Sequence, residues 1–122
     1  FSLGKNMGTF KVKVKLKGKK IIERAILVDT GAVYSWISEK ILNELGVKPK
    51  RRRRFKTITG SIVERDVGEV LMEIDGEEAT VPVVFAKEND AEVLGSTALE
   101  ILGFEVDPIE KRLKKIEALL AL

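Results

Sequence analysis

Residues 25–38 read AILVDTGAVYSWIS. An apolar run ends in a carboxylate, Asp29, and Thr30 and Gly31 follow before a second apolar run begins. An unpaired buried charge is costly, so an Asp closing a hydrophobic strand is either a turn former or a working group. The remainder of the chain has to decide between them.

Composition narrows the chemistry first. With 122 residues the chain is long enough for one domain with a modest core, expected over residues 9–122. Residues 1–8 read as a disordered or cloning-derived leading segment, with Met7 a candidate natural start. No run approaches the roughly 18 apolar residues of a bilayer span, and FSLGKNMG lacks the apolar centre of a signal peptide. The expectation is a cytoplasmic protein with no membrane partner. The chain has no Cys and no His. Disulfides, thiolate nucleophiles, Ser-His pairs and Cys/His zinc sites are thereby excluded. Catalysis, if any, falls to carboxylates, Lys, Tyr, hydroxyls or an oxygen-held metal.

Working outward from Asp29, KVKVKLKG alternates apolar and charged residues, with Val12, Val14 and Leu16 on one face. It reads as a half-buried strand near a sheet edge, its lysines discouraging further pairing. Gly18 marks a turn into KIIERAILV, the strand that delivers Asp29. VYSWI is a further extended run, and Ser38 caps a helix, SEKILNEL, that Gly46 stops. RRRRFKTIT and SIVERDVGEVLMEIDG read as a hairpin joined near Thr59-Gly60-Ser61. Asp75-Gly76 turns the chain into EEATVPVVFA; then come a polar loop, the short strand EVLG, and a helix from Ser96 to Gly103. Ser38 and Ser96 read as helix caps rather than nucleophiles, since no base is available to activate them. In the tail, Ile109, Leu113, Ile116 and Leu120 fit a helix face, whereas Ile116, Ala118, Leu120 and Leu122 fit a strand. The whole is mostly β with two short helices. AILVDTGAVYSWISEKILNELG and AEVLGSTALEILGF share one plan, apolar strand, Gly-bearing turn, helix and Gly stop, which points to a duplicated β-unit.

Three features taken together resemble the retroviral-type (retropepsin-like) aspartic proteases and their cellular and microbial relatives. An apolar run ends in Asp29-Thr30-Gly31-Ala32, a glycine-bearing hairpin follows at about 55–63, and Val93-Leu94-Gly95 precedes a short helix. The resemblance implies a closed β-barrel that works as a homodimer and cleaves extended polypeptide segments, with no cofactor and no metal. It makes Asp29 the catalytic acid/base. Thr30 is then a bridge beneath the two loops, and Gly31 the point of close backbone approach. Ala32, Ile58, Thr59, Gly60 and Ser61 contact substrate, the last four as a flap, and Val93, Leu94 and Gly95 form the scaffold under the site. Specificity pockets are expected near Ala32, the flap and residues 81–85. Ala32 offers no hydroxyl to the carboxylate, which predicts a less acidic optimum than that of pepsin-like members. The flap carries one glycine and no tyrosine, and the extension beyond Pro108 is unlike the viral enzymes, so the dimer interface is expected to differ there.

Such proteolysis needs two carboxylates about one water, sharing a proton because like charges that close do not both ionise. This chain has one Asp-Thr-Gly, so each of two chains would supply an Asp29. The rival signal is the charge distribution. Residues 1–60 hold 16 Lys and Arg against four acids, and residues 61–122 hold six against 15. The run Lys48-Pro49-Lys50-Arg51-Arg52-Arg53-Arg54 reads as a solvated strand edge or a rim that steers substrate. The alternative is a catalytically weak dimeric module of the same fold that binds peptide or nucleic acid through residues 48–56. No recognition helix or RNA-binding sheet motif accompanies that run. Tyr34 and Trp36 read as packing residues rather than ligand contacts.

Overall fold

A computed structural model describes residues 9–117. The expected leading segment, and the tail positions Ala118, Leu120 and Leu122, lie outside the described residues. The chain runs β1 (Lys11–Lys17), β2 (Ile21–Val28), β3 (Ser35–Ser38), α1 (Glu39–Leu45), β4 (Arg51–Lys56), β5 (Ile62–Ile74), β6 (Glu77–Ala86), β7 (Val93–Leu94), α2 (Ser96–Leu102), β8 (Phe104–Asp107) and β9 (Arg112–Lys115).

Seven strands form one sheet in the order β1-β2-β7-β3-β6-β5-β4, and β1 also pairs with β5, so the sheet closes on itself. The long strand β5 makes closure geometrically simple. Its first half, Ile62–Val67, pairs with β4, and Leu71–Glu73 pairs antiparallel with Lys15–Lys17 of β1. The sheet-edge reading of β1 is therefore corrected for residues 15–17, whereas residues 11–14 pair with β2 alone among the described residues. The second half of the strand has neighbours on both sides, and Lys17 extends its ammonium to Glu73 at 2.6 Å and Glu78 at 2.5 Å. Lys15 and Lys17 thus support pairing with an acidic strand rather than repel a partner. The alternation itself stands, with Val14 and Leu16 fully buried.

Both helices pack inside one main core. Ile41, Leu42 and Leu45 of α1, and Ala98, Leu99 and Leu102 of α2, join the inward residues of β1, β2, β5 and β6. Each fully buried Leu or Val contributes about 1.5–3 kcal/mol over its exposed state. Ser38 caps α1 with its hydroxyl, which accepts from the Lys40 N–H at 3.3 Å, and Gly46 ends it in a left-handed turn at φ 81°. The cap of α2 differs from expectation. Gly95 occupies the N-cap and Ser96 is the first helical residue, so the serine hydroxyl does not cap the helix. The Ser96 N–H goes instead to the Ala32 carbonyl at 2.8 Å, which already satisfies one free helix-terminal donor.

The two halves of the internal echo meet directly. Leu27 and Val28 of β2 lie parallel to Val93 and Leu94 of β7, and Trp36 of β3 pairs antiparallel with Val93. Beyond Asp107 the chain forms a strand over Arg112–Lys115, paired with β8, which excludes a helix through Leu113. Asp107 sets that reversal, its carboxylate accepting the N–H groups of Ile109 and Glu110, each at 3.1 Å. Ile109 is left exposed while Leu113 turns inward.

Candidate active site

Asp29 stands where β2 leaves the sheet, and the backbone around it has little freedom. Its N–H donates to the Leu94 carbonyl at 2.9 Å, continuing the parallel ladder one step past the strand. The Ala32 N–H returns to the Asp29 carbonyl at 3.1 Å and closes the turn. The Gly31 N–H donates to the Asp29 carboxylate itself at 3.0 Å, so the loop holds its own acid. Asp29 is buried, while Thr30 and Gly31 are exposed at the crest of the loop.

The segment Gly95–Thr97 clamps the far side. Beyond the Ser96 contact, the Thr97 N–H donates to the Val33 carbonyl at 3.0 Å. The Gly95 N–H donates to the Ser35 hydroxyl at 3.0 Å, in a position sealed from solvent. A Cβ on Gly95 would stand 2.5 Å from the Tyr34 carbonyl oxygen and 2.8 Å from that of Ala32. Only glycine allows the two chain segments to come this close. Val93 and Leu94 are fully buried beneath the loop. The structure thus brings Asp29, Thr30, Gly31, Ala32, Val93, Leu94 and Gly95 together.

The expected flap lies apart from them. Residues Thr57–Ser61 make a tight turn closed by Thr57 N–H to Ser61 carbonyl at 2.8 Å and Gly60 N–H to Thr57 carbonyl at 2.9 Å. Ile58, Thr59, Gly60 and Ser61 are exposed at its tip, and nothing lies within 4 Å of a Cβ built on Gly60. Between the β4–β5 hairpin below this turn and the Asp29 loop is a cavity of about 360 Å³. Gly31, Ala32, Val33, Tyr34 and Trp36 line it from the loop side, and Arg53, Phe55, Lys56, Thr57 and Val63 from the hairpin. Ile58–Ser61 do not line it, and of residues 81–85 all but Pro82 are buried. Pro82 instead borders a neighbouring groove with Tyr34, Lys50 and Arg51.

Trp36 and Tyr34 do pack as expected. Phe55 inserts its ring edgewise against both, with centroids 5.1 Å from Trp36 and 6.1 Å from Tyr34. Both residues also face the cavity, which their reading as packing residues did not include. Ser35, Phe55 and Val63 are site residues that sequence reasoning missed. The only signal for Ser35 is a hydroxyl inside an otherwise apolar strand.

A bidentate ion pair ties the hairpin to the rest of the barrel. Arg65 of β5 donates to Asp90 through Nε at 2.7 Å and Nη2 at 2.9 Å, and the Lys87 N–H adds a contact at 2.7 Å. The Arg65 guanidinium holds the Asp90 carboxyl below its ordinary value, burial opposing it and the Lys87 N–H assisting.

The closed barrel, with a loop-borne carboxylate clamped by a glycine-bearing strand–helix junction, is the fold of the retroviral proteases. The protease of simian foamy virus (mac) superposes with a TM-score of 0.56 at 20% identity, covering 76% of this chain and 94% of that one. The protease of EIAV, solved with the inhibitor HBY-793, superposes with a TM-score of 0.54 at 23% identity, covering 84% of this chain and 93% of that one. The model of an aspartyl protease family matches residues 12–106, and the chain belongs to that family. No curated protein sequence matches the chain.

Proposed function

We propose that the protein is an aspartic endopeptidase whose active centre forms between two copies of the chain, each contributing Asp29. The observation that carries this reading is a buried carboxylate held by the Gly31 N–H, beside an exposed Thr30-Gly31 crest, in a chain with one Asp-Thr-Gly. The exposed crest is available to a second copy across a two-fold axis. In such a pair the two Asp29 carboxylates share one proton. The ionised one takes a proton from water, whose oxygen attacks the scissile carbonyl, and the protonated one hydrogen-bonds that carbonyl oxygen. Collapse of the tetrahedral intermediate breaks the C–N bond as the leaving amine takes up a proton.

The substrate is an extended peptide lying between the two loops and the Thr57–Ser61 turns, which close over it as flaps. The outer edge of β4, unpaired among the described residues, offers backbone groups for strand-wise binding. Exposed Ile109 and Ile116 on the β8–β9 hairpin support a contribution of that hairpin to dimerisation.

The test is cleavage of a pool of unstructured peptides from about pH 3 to about pH 7, with wild type and Asp29→Asn side by side and sedimentation on the same samples. The expected result is a bell-shaped profile in wild type and a loss of at least about 10³-fold in the variant, both proteins remaining dimeric. A folded wild-type dimer that cleaves nothing would contradict the proposal. In that event Arg51–Arg54→Ala, rather than Asp29→Asn, would abolish ligand binding.

A further inference from the structure

The four consecutive arginines of β4 are chemically identical, and the strand separates them. Arg52 turns to the outer face, where it meets Glu64 and Asp66, each at 3.2 Å. Arg53 turns to the cavity and has no carboxylate partner among the described residues. Its Nη1 donates to the Tyr34 hydroxyl at 2.8 Å and its guanidinium carbon lies 5.6 Å from the centre of that ring. Tyr34 therefore fixes the guanidinium while occupying one of its five N–H donors. Arg51 reaches the same hydroxyl at 3.3 Å, and Lys56 adds a second cation to the cavity lining. No Asp or Glu among the described residues lines this cavity, whose apolar wall includes Val33, Trp36, Phe55 and Val63.

We propose that this cavity is a side-chain subsite for an acidic substrate residue, glutamate, with Arg53 and Lys56 as its specificity-determining cations. The inference rests on the peptidase reading and extends it to a substrate class. The aromatic wall takes the methylenes of the side chain. The spare guanidinium donors and the Lys56 ammonium take the carboxylate, Arg53 in the two-pronged manner that suits a planar acid. Because Gly31 and Ala32 belong to the same lining, the glutamate sits close in sequence to the bond being cut. The basic excess of residues 1–60 would also draw acidic segments toward this side of the molecule.

The test uses peptides acetylated and amidated at their ends, so that any carboxylate recognised belongs to a side chain. Glu, Gln or Lys is placed in turn at each position flanking the cleaved bond. Wild type is expected to favour Glu over Gln by about tenfold in kcat/KM at a defined position, less at high salt. In Arg53→Gln/Lys56→Gln that ratio falls to about one, and in Arg53→Glu it turns toward Lys. The same peptides are measured for binding to Asp29→Asn by fluorescence anisotropy, where the Glu preference should persist. Cleavage without preference at any position, or a ratio unchanged in the double variant, overturns the subsite and leaves the peptidase reading intact. A Glu preference in binding with no cleavage by wild type overturns the peptidase reading and keeps the subsite. Neither cleavage nor charge-dependent binding overturns both.

Discussion

Two glycine-bearing turns, one lining the cavity and one at the tip of the hairpin beside it, are held in different ways. The Asp29–Tyr34 loop has internal bonds but is also fixed from outside itself. Leu94, Ser96 and Thr97 bond its backbone, and Gly95 presses against it where no other residue fits. The Thr57–Ser61 turn is held by bonds within itself, and Gly60 faces open space at φ 90°. Gly95 is glycine because of its neighbours, Gly60 because of its own backbone. A catalytic carboxylate has to be held in place before substrate arrives, whereas a flap has to move for substrate to enter and leave.

The sharpest way to break the contrast is Gly95→Ala. The new methyl would meet backbone rather than a yielding side chain, so the loop or the helix must shift. The expected cost is about 3 kcal/mol by urea denaturation, with loss of cleavage in whatever remains folded. Ser35→Ala comes next. It removes the acceptor of the Gly95 N–H in a fully buried position, an expected loss of about 2 kcal/mol. Restoration by Ser35→Thr would show that the hydroxyl, rather than the volume, matters.

Asp90→Asn tests how the hairpin is anchored outside the Thr57–Ser61 turn. Because the folded-state value of Asp90 is lowered, its stabilisation is present above the unfolded carboxylate value and lost as pH falls through the folded one. The variant should be less stable than wild type by about 1–2 kcal/mol at neutral pH. The difference should begin to close below about pH 4. An equal difference at both ends of that range would show that the ion pair is not its origin. Smallest of all is Gly60→Ala, which meets no neighbour and costs only the strain of its positive φ, about 1 kcal/mol. Its effect should appear in KM and kcat together rather than in global stability.

The same contrast explains what could be read from the sequence. Asp29-Thr30-Gly31 and Val93-Leu94-Gly95 were legible because a short local pattern carries each, an apolar strand ending in a glycine-bearing turn. The helix stops at Gly46 and Gly103 were legible for the same reason. Ser35 was not, because its role exists only once β7 and α2 arrive from about 60 residues away. The closure of β1 onto β5 is likewise a long-range pairing, and alternating lysines look the same beside water as beside Glu73 and Glu78. The arginine run hid its own division, since four identical residues show no alternation from which to assign faces. In the tail, too few apolar positions separated a period of two from one of 3.6, and the Asp107 turn leads into a strand over Arg112–Lys115, short of most of the positions on which the strand reading rested. Ser96 failed as a cap because the helix starts one residue earlier than its pattern suggested, placing Gly95 at the N-cap and Ser96 inside the first turn.

The central claim is that neither copy of the chain holds a complete active centre. The most direct test adds Asp29→Asn to a fixed amount of wild type and follows cleavage after subunits have exchanged. If both Asp29 residues of a pair are required, equimolar mixing lowers activity to about half by random pairing, and a ninefold excess of variant to about one tenth. Activity that stays constant through the titration would mean that each copy acts alone, and the shared centre would be wrong.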